Sequence, residues 1–297
     1  MNFNYTCFDI VKDTKDDEVT RLTHRMLQKW INFADDHYSK WNGRENCGHF
    51  FGGSYWYEIE TTFAAFVYAV VASFDEIDPA LCRVPKDEII QKAVSAIRYL
   101  GFTHDTGPAD CVREKSNNPH CSNKKWGGLN ENFFMASQHG TSISRFGLAA
   151  WLLWEYLDNE TKGLVWNVLE NYADRWMDYP CPSGTYSDTQ TEENAWTAMG
   201  IATASFLLKD HPNRDKWERA AKRWAFNSCT TYLDAFREDK WEGRRIAGGW
   251  INTVTTHPDF TAENHRFVHP NYIACGIHIR AVIAIMYQMA GLEIPEA

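Results

Sequence analysis

Apolar residues recur at steps of three and four along most of this chain, and that spacing restricts it to a fold of packed helices. One face would bury Ile143, Phe146, Ala150, Trp154 and Leu157, and another Cys275, Ile279, Val282, Met286 and Met289. Strict alternation, the mark of a half-buried strand, is scarce. The pattern predicts eight helices, over residues 16–41, 55–75, 86–100, 132–157, 160–179, 192–208, 214–237 and 272–290. Pro85 suits the first turn of the third, while Pro79, Pro180 and Pro212 punctuate connections. With 297 residues, 44% of them hydrophobic, the chain can support a substantial core. The expectation is one all-α domain over residues 1–297, with residues 1–15 as an N-terminal extension.

Connections alternate between short and long. Residues 158–159 and 209–213 are tight links between antiparallel neighbours, whereas 101–131, 180–191 and 238–271 are long and rich in polar, glycine and aromatic residues. Helix pairs joined tightly on one side, with long loops on the other, describe an (α/α)-hairpin toroid. No fixed-period repeat favours a solenoid. Three polar clusters fall at the ends of the long loops, so a toroid would gather them at one mouth.

The richest cluster packs His257, Asp259, Glu263, His265, Arg266, His269 and Tyr272 into residues 256–272, with Pro258 and Pro270 stiffening the backbone. These are the residue types of acid/base catalysis, carboxylate recognition or metal ligation. His257-x-Asp259 and Glu263-x-His265-x-x-x-His269 offer nitrogen and oxygen ligands, but their spacing matches no established metal motif, and neither a metal nor another cofactor is expected.

A second cluster covers residues 186–196. Thr189 and Glu192 have the spacing of a capping box, and Asp188 that of a turn residue, which leaves Glu193, Asn194 and Trp196 to face a cavity. A third runs from Lys124 to Ser142: Trp126, followed by two glycines, suits a stacking platform for a sugar ring, and His139 is either a site residue or a core histidine on the stripe of Ile143. The Gly- and aromatic-rich residues 42–58 offer His49, Tyr55, Trp56 and Tyr57 to the same mouth.

Several function classes lose support. A formal charge of −9 without a Lys/Arg block argues against a nucleic-acid surface, and no uncharged run of about 18 apolar residues predicts a membrane span. Met1 to Cys7 lacks the basic and apolar regions of a signal peptide, so a secreted or periplasmic location would require one already removed, and a cytoplasmic one would not. Eight scattered cysteines form no C-x-x-C pair; Cys111 and Cys121 suit a local disulfide in a secreted protein, and reduced core thiols otherwise. Asn4-Tyr5-Thr6 and Asn159-Glu160-Thr161 fit the glycosylation sequon. Phosphate-binding glycine loops and the Gly-x-Ser-x-Gly elbow are absent.

The blocks Ser137-Gln138-His139 leading to Ala149-Ala150-Trp151-Leu152-Leu153-Trp154, Asp188-Thr189 to Glu192-Glu193-Asn194-Ala195-Trp196, and His257-Pro258-Asp259-Phe260 to His269-Pro270-Asn271-Tyr272 carry a resemblance. Over about residues 40–290 the chain resembles the helical-toroid domains of six-hairpin carbohydrate-active enzymes, a group that includes heparinase-type uronate lyases and six-hairpin glycosidases. The resemblance implies a carbohydrate cleft at one end of the barrel. For a lyase it implies Asn264 or Arg266 neutralising a uronate carboxylate and His265, His269 and Tyr272 moving protons; the two other clusters add His139 and Glu193 to the expected catalytic set. Substrate contacts would come from Asn264, Arg266, Trp126, Asn194, Asp188 and Glu263, and an oligo- or polysaccharide would be the partner. The chain departs from the group in having eight predicted helices, enough for four hairpins.

Three functions follow as expectations. The leading one is a polysaccharide lyase that cleaves a uronate-containing glycan by β-elimination. The alternatives are a glycoside hydrolase, whose two carboxyls would come from among Glu193, Asp188, Asp259 and Glu263, and a noncatalytic carbohydrate-binding protein.

Overall fold

The helical periodicity is realised as eight α-helices among the described residues, with two short 3-10 helices (Trp154–Tyr156 and Tyr232–Phe236) and three short two-stranded hairpins beside them. The computed structural model describes residues 5–11, 17–52, 59–114, 121–128, 130, 136–184 and 186–295. Asn4, Tyr55, Trp56, Tyr57, Leu129 and the expected helix start at 132–135 lie outside them. The chain divides into two compact units, the first Met1–Cys7, Lys12–Asn130 and Thr141–Asn171, the second Phe8–Val11, Glu131–Gly140 and Tyr172–Ala297.

In the first unit, Asp17 caps α1 (Glu18–Asp35) by accepting a hydrogen bond from the Thr20 amide at 2.8 Å. The sequence pattern extends this helix to 41, but it stops at Asp35, because β1 (Tyr38–Lys40) pairs antiparallel with β2 (Gly48–Phe50) and the Trp41 amide donates to the Cys47 carbonyl at 2.9 Å. Helix α2 (Ile59–Ala72) packs against α1 and α3 (Lys86–Thr103), with Ala64, Ala65, Tyr68 and Ala69 fully buried. His49 is buried beside Tyr99, and burial pushes its imidazole down to about 4, so it is a neutral core histidine rather than a lining residue of a cleft.

Trp126 belongs to the same core. It is 1% exposed, and its indole N–H donates to the Leu100 carbonyl at 2.8 Å. A stacking platform needs a bare ring face, so the expected sugar-binding role of Trp126 is corrected to a packing one. Cys111 and Cys121 are buried, as are or nearly are the other cysteines, and none is disulfide-bonded.

Helices α4 (His139–Leu152) and α5 (Asn159–Trp176) are divided between the units. The second unit is built around α6 (Thr191–Leu207), in which every residue but Trp196 is buried. A helix apolar on all sides must be surrounded. Helix α7 (Arg214–Phe226) runs antiparallel to it, since Asn194 donates to the Asn227 carbonyl at 2.7 Å and Arg214 to the Ser205 carbonyl at 3.4 Å. Helix α8 (Pro270–Met289) runs parallel to α6, with Gly276 beside Thr191 and Phe206 beside Tyr287.

The sequence pattern extends α7 to 237, but the helix ends at Phe226. The Asn227 amide donates to the carbonyls of Arg223 and Trp250 at 2.8 and 2.7 Å, and its oxygen accepts from the Asn252 amide at 3.1 Å. A side chain that offers the backbone such partners competes with the helix ladder. Trp217 and Trp224 are fully buried with their indole N–H groups on Asp174 and the Trp176 carbonyl, each contributing about 2–3 kcal/mol of burial. At 20 residues, α8 is the one helix among the described residues long and apolar enough to cross a bilayer, although Arg280 interrupts it.

Candidate functional site

The candidate site is a hairpin in the second unit, set against the first turns of α6 and α8. Strands β5 (Glu263–Asn264) and β6 (Phe267–Val268) pair antiparallel, Asn264 opposite Phe267, so His265 and Arg266 alone form the turn. Their φ angles are +54° and +73°, as primed hairpin turns require. Asn-Gly is the usual sequence for such turns, and holding two bulkier residues there costs about 1 kcal/mol or more each.

The neighbouring loop holds the turn in place. The Arg266 amide donates to the Ser187 carbonyl at 3.1 Å, the Thr189 amide to the Glu263 carbonyl at 2.9 Å, and the Ser187 amide to the Glu263 carboxylate at 2.5 Å. Ser187 and Gln190 are themselves left-handed, with φ of +85° and +62°. Strained backbone thus gathers on both sides of one contact.

Helix α8 begins directly after the hairpin. His269 is its N-cap, accepting from the Asn271 amide through Nδ1 at 3.1 Å, and Pro270 is the first helical residue. This places Tyr272 in the first turn with its hydroxyl 2.8 Å from Nε2 of His265. His269 stands edge-on to the Tyr272 ring with centroids 5.1 Å apart. His265 and Arg266 are exposed, and the Arg266 guanidinium has no partner among the described residues.

Behind this accessible layer lies a sealed carboxyl pair. Glu192 is 4% and Glu193 0% exposed. Burial, reinforced by the Glu193 and Asp188 charges, pushes Glu192 up to about 9, and burial with Asp188 pushes Glu193 up to about 8. Neither Glu193 oxygen has a hydrogen-bond partner among the described residues. Both are therefore neutral acids at pH 7. Burial, followed by the Glu192 charge, also raises the Tyr272 phenol, which keeps its proton.

The expected site residues separate into groups. His265, Tyr272, His269 and Arg266 are brought together on the accessible side. Asn264 is 7% exposed and turned inward, its amide 3.4 Å from Glu192, so it cannot meet a substrate carboxylate directly. Asn194 is fully buried and donates to the Pro182 and Asn227 carbonyls at 3.0 and 2.7 Å, a loop-holding role rather than the expected substrate contact. Glu193, sealed as it is, cannot touch substrate either. Asp188 accepts from the Gln190 amide at 2.9 Å and is half-buried, and Glu263 anchors Ser187 with His257 at 3.9 Å.

His139 is 3% exposed at the start of α4. Its neighbour Gly140 lies so close to α6 that a β-carbon would fall 2.2 Å from the Trp196 carbonyl oxygen. The end of that cluster therefore meets α6 three residues past Glu193. Trp126 belongs to the other unit. No group of three or more His, Cys, Asp or Glu side chains is placed to hold a metal among the described residues.

Glu192 is the residue that sequence reasoning passed over. The capping-box spacing explained it away, yet the N-cap of α6 is Gln190 with no side-chain cap, and the Thr189 hydroxyl bonds the Glu263 carbonyl at 3.1 Å. The box fails because the loop backbone turns left-handed one residue later. Two adjacent glutamates opening a helix that is otherwise apolar were the available signal.

No family model matches the chain, and no curated protein or solved structure matches it.

Proposed function

We propose that the protein is a polysaccharide lyase acting on a uronate-containing glycan by β-elimination. The observation that carries this reading is the 2.8 Å hydrogen bond between His265 and Tyr272 beside the unpartnered Arg266 guanidinium. Arg266 neutralises the uronate carboxylate, which acidifies the hydrogen on the adjacent carbon. His265 takes that proton, the electrons form the ring double bond, and the bond to the leaving oxygen breaks as Tyr272 protonates it. The imidazolium then returns its proton to the phenolate through the same hydrogen bond. No cofactor is needed to balance these steps.

Hydrolysis is less well supported, because of its candidate carboxyls Glu193 is sealed from solvent and cannot flank a scissile bond, while Glu263 and Asp188 are engaged by the Ser187 and Gln190 amides. The frame we propose is an (α/α)-hairpin toroid, in keeping with α6 packed between an antiparallel α7 and a parallel α8. The deciding experiment is incubation with a panel of uronate polysaccharides. Elimination yields an unsaturated product absorbing in the near ultraviolet; new reducing ends without that absorbance would make the enzyme a hydrolase.

A further inference from the structure

We infer that the second unit carries a separate binding site for a small apolar carboxylic acid, in a cavity of about 380 Å³ between α6, α7 and α8. None of its lining residues belongs to the hairpin site, which sits at the N-terminal ends of α6 and α8. The cavity follows their later turns. Its walls are apolar, with Phe206 from α6, Ala225 from α7, Ile283 and Ala284 from α8, and Trp241 from the hairpin β3–β4 (Lys240–Trp241 with Arg244–Arg245). That size and lining suit a ligand with a hydrocarbon or aromatic body.

The polar groups on the wall fix the other end of the ligand. Glu218 is held by Arg214 at 3.1 Å and Lys222 at 3.4 Å, and it accepts from the Tyr287 hydroxyl at 3.0 Å. Lys222 also pairs with Glu242 and Arg237 with Asp239, while Asp234 accepts from the Thr231 amide at 2.7 Å. Arg280 is the exception. It donates to the Gly276 carbonyl at 2.6 Å and to the Cys229 sulfur at 2.7 Å, and no carboxylate pairs with it among the described residues.

A half-buried guanidinium that no carboxylate pairs with, set in a largely apolar cavity, is a ready partner for an anion. Cys229 does not supply one, since burial raises its thiol and a neutral sulfur is a weak acceptor. In a chain of formal charge −9, this cavity carries Lys222, Arg237 and Arg280 against only Glu218 and Asp234. A phosphate dianion would meet those two carboxylates with a single unpaired cation to hold it. A carboxylate on an apolar body matches one guanidinium without a carboxylate partner and the surrounding walls.

The test is octanoate binding to the full chain, followed by quenching of tryptophan fluorescence and by calorimetry, with octanol as the uncharged control. Octanoate should bind at least tenfold tighter than octanol. Arg280→Gln should remove that difference, Arg280→Lys should keep most of it, and Ala284→Phe should exclude both compounds by filling the cavity. Equal binding of octanoate and octanol, octanoate binding unaffected by Arg280→Gln, or no octanoate binding at millimolar concentration would each overturn the inference.

Discussion

Gly276 of α8 and Thr191 of α6 lie so close that a β-carbon on the glycine would stand 2.7 Å from the threonine methyl. This contact sets the height of α8 against the first residue of α6, and so carries Tyr272, one turn earlier on α8, to the hairpin that holds His265. Only a residue without a side chain permits it. Gly276→Ala should therefore cost about 1–3 kcal/mol by overpacking. Thr191→Ser removes the offending methyl and keeps the hydroxyl that donates to the Thr255 carbonyl at 2.5 Å, so adding it to Gly276→Ala should restore at least half of the loss. Urea unfolding of the single and double variants checks this; no recovery would place the strain elsewhere.

His265→Gln and Tyr272→Phe should each lower turnover by about a hundredfold or more, the usual scale for a lost general acid or base. Both side chains are on the accessible side, so circular dichroism and melting temperature should stay close to those of the parent. Near-normal formation of the ultraviolet-absorbing product in both variants would remove them as the proton-transfer pair.

Arg266→Gly should separate stability from activity. Glycine adopts a φ of +73° without steric cost, so the variant should gain up to about 1 kcal/mol in unfolding free energy. Removing the guanidinium should at the same time weaken uronate recognition, seen as a loss in kcat/KM. A variant both less stable and fully active would contradict the assigned role.

Stability should fall as pH rises. Glu192 and Glu193 have folded-state values near 9 and 8 against an ordinary 4.5, so the folded protein binds more protons than the unfolded chain between those limits. The contribution is fully present below about pH 4.5 and is lost as pH passes through the folded values, with a slope of up to about 1.4 kcal/mol per pH unit for each group. Glu193→Gln, which imitates the neutral acid, should flatten that decline in urea unfolding at pH 5, 7 and 9. An unchanged slope would mean that Glu193 is already ionised.

The helices were legible because each buries a periodic face, and their ends were less so because tertiary partners decide them. Asn227 ends α7 through the Trp250 carbonyl, 23 residues further on, which no local window contains. At the site, His265 and Tyr272 could be singled out by residue type and by the fixed entry that Pro270 gives α8. The sealing of Glu192, Glu193 and Asn194 could not, because polar residues at a helix start normally face water. Trp126 illustrates the converse, since a tryptophan before two glycines reads as exposed until the Leu100 carbonyl is found to take its N–H.

The hairpin between Glu263 and Val268 is read most strictly in its length. Strand residues alternate between faces, so the register Asn264 opposite Phe267 holds only while the turn contains two residues. One residue inserted after Arg266 would reverse the facing of β6 and detach His265 from Tyr272, although every side chain at the site would still be encoded. Substitution alters the chemistry of this loop by degrees, whereas a change of one codon in its span abolishes the arrangement at once.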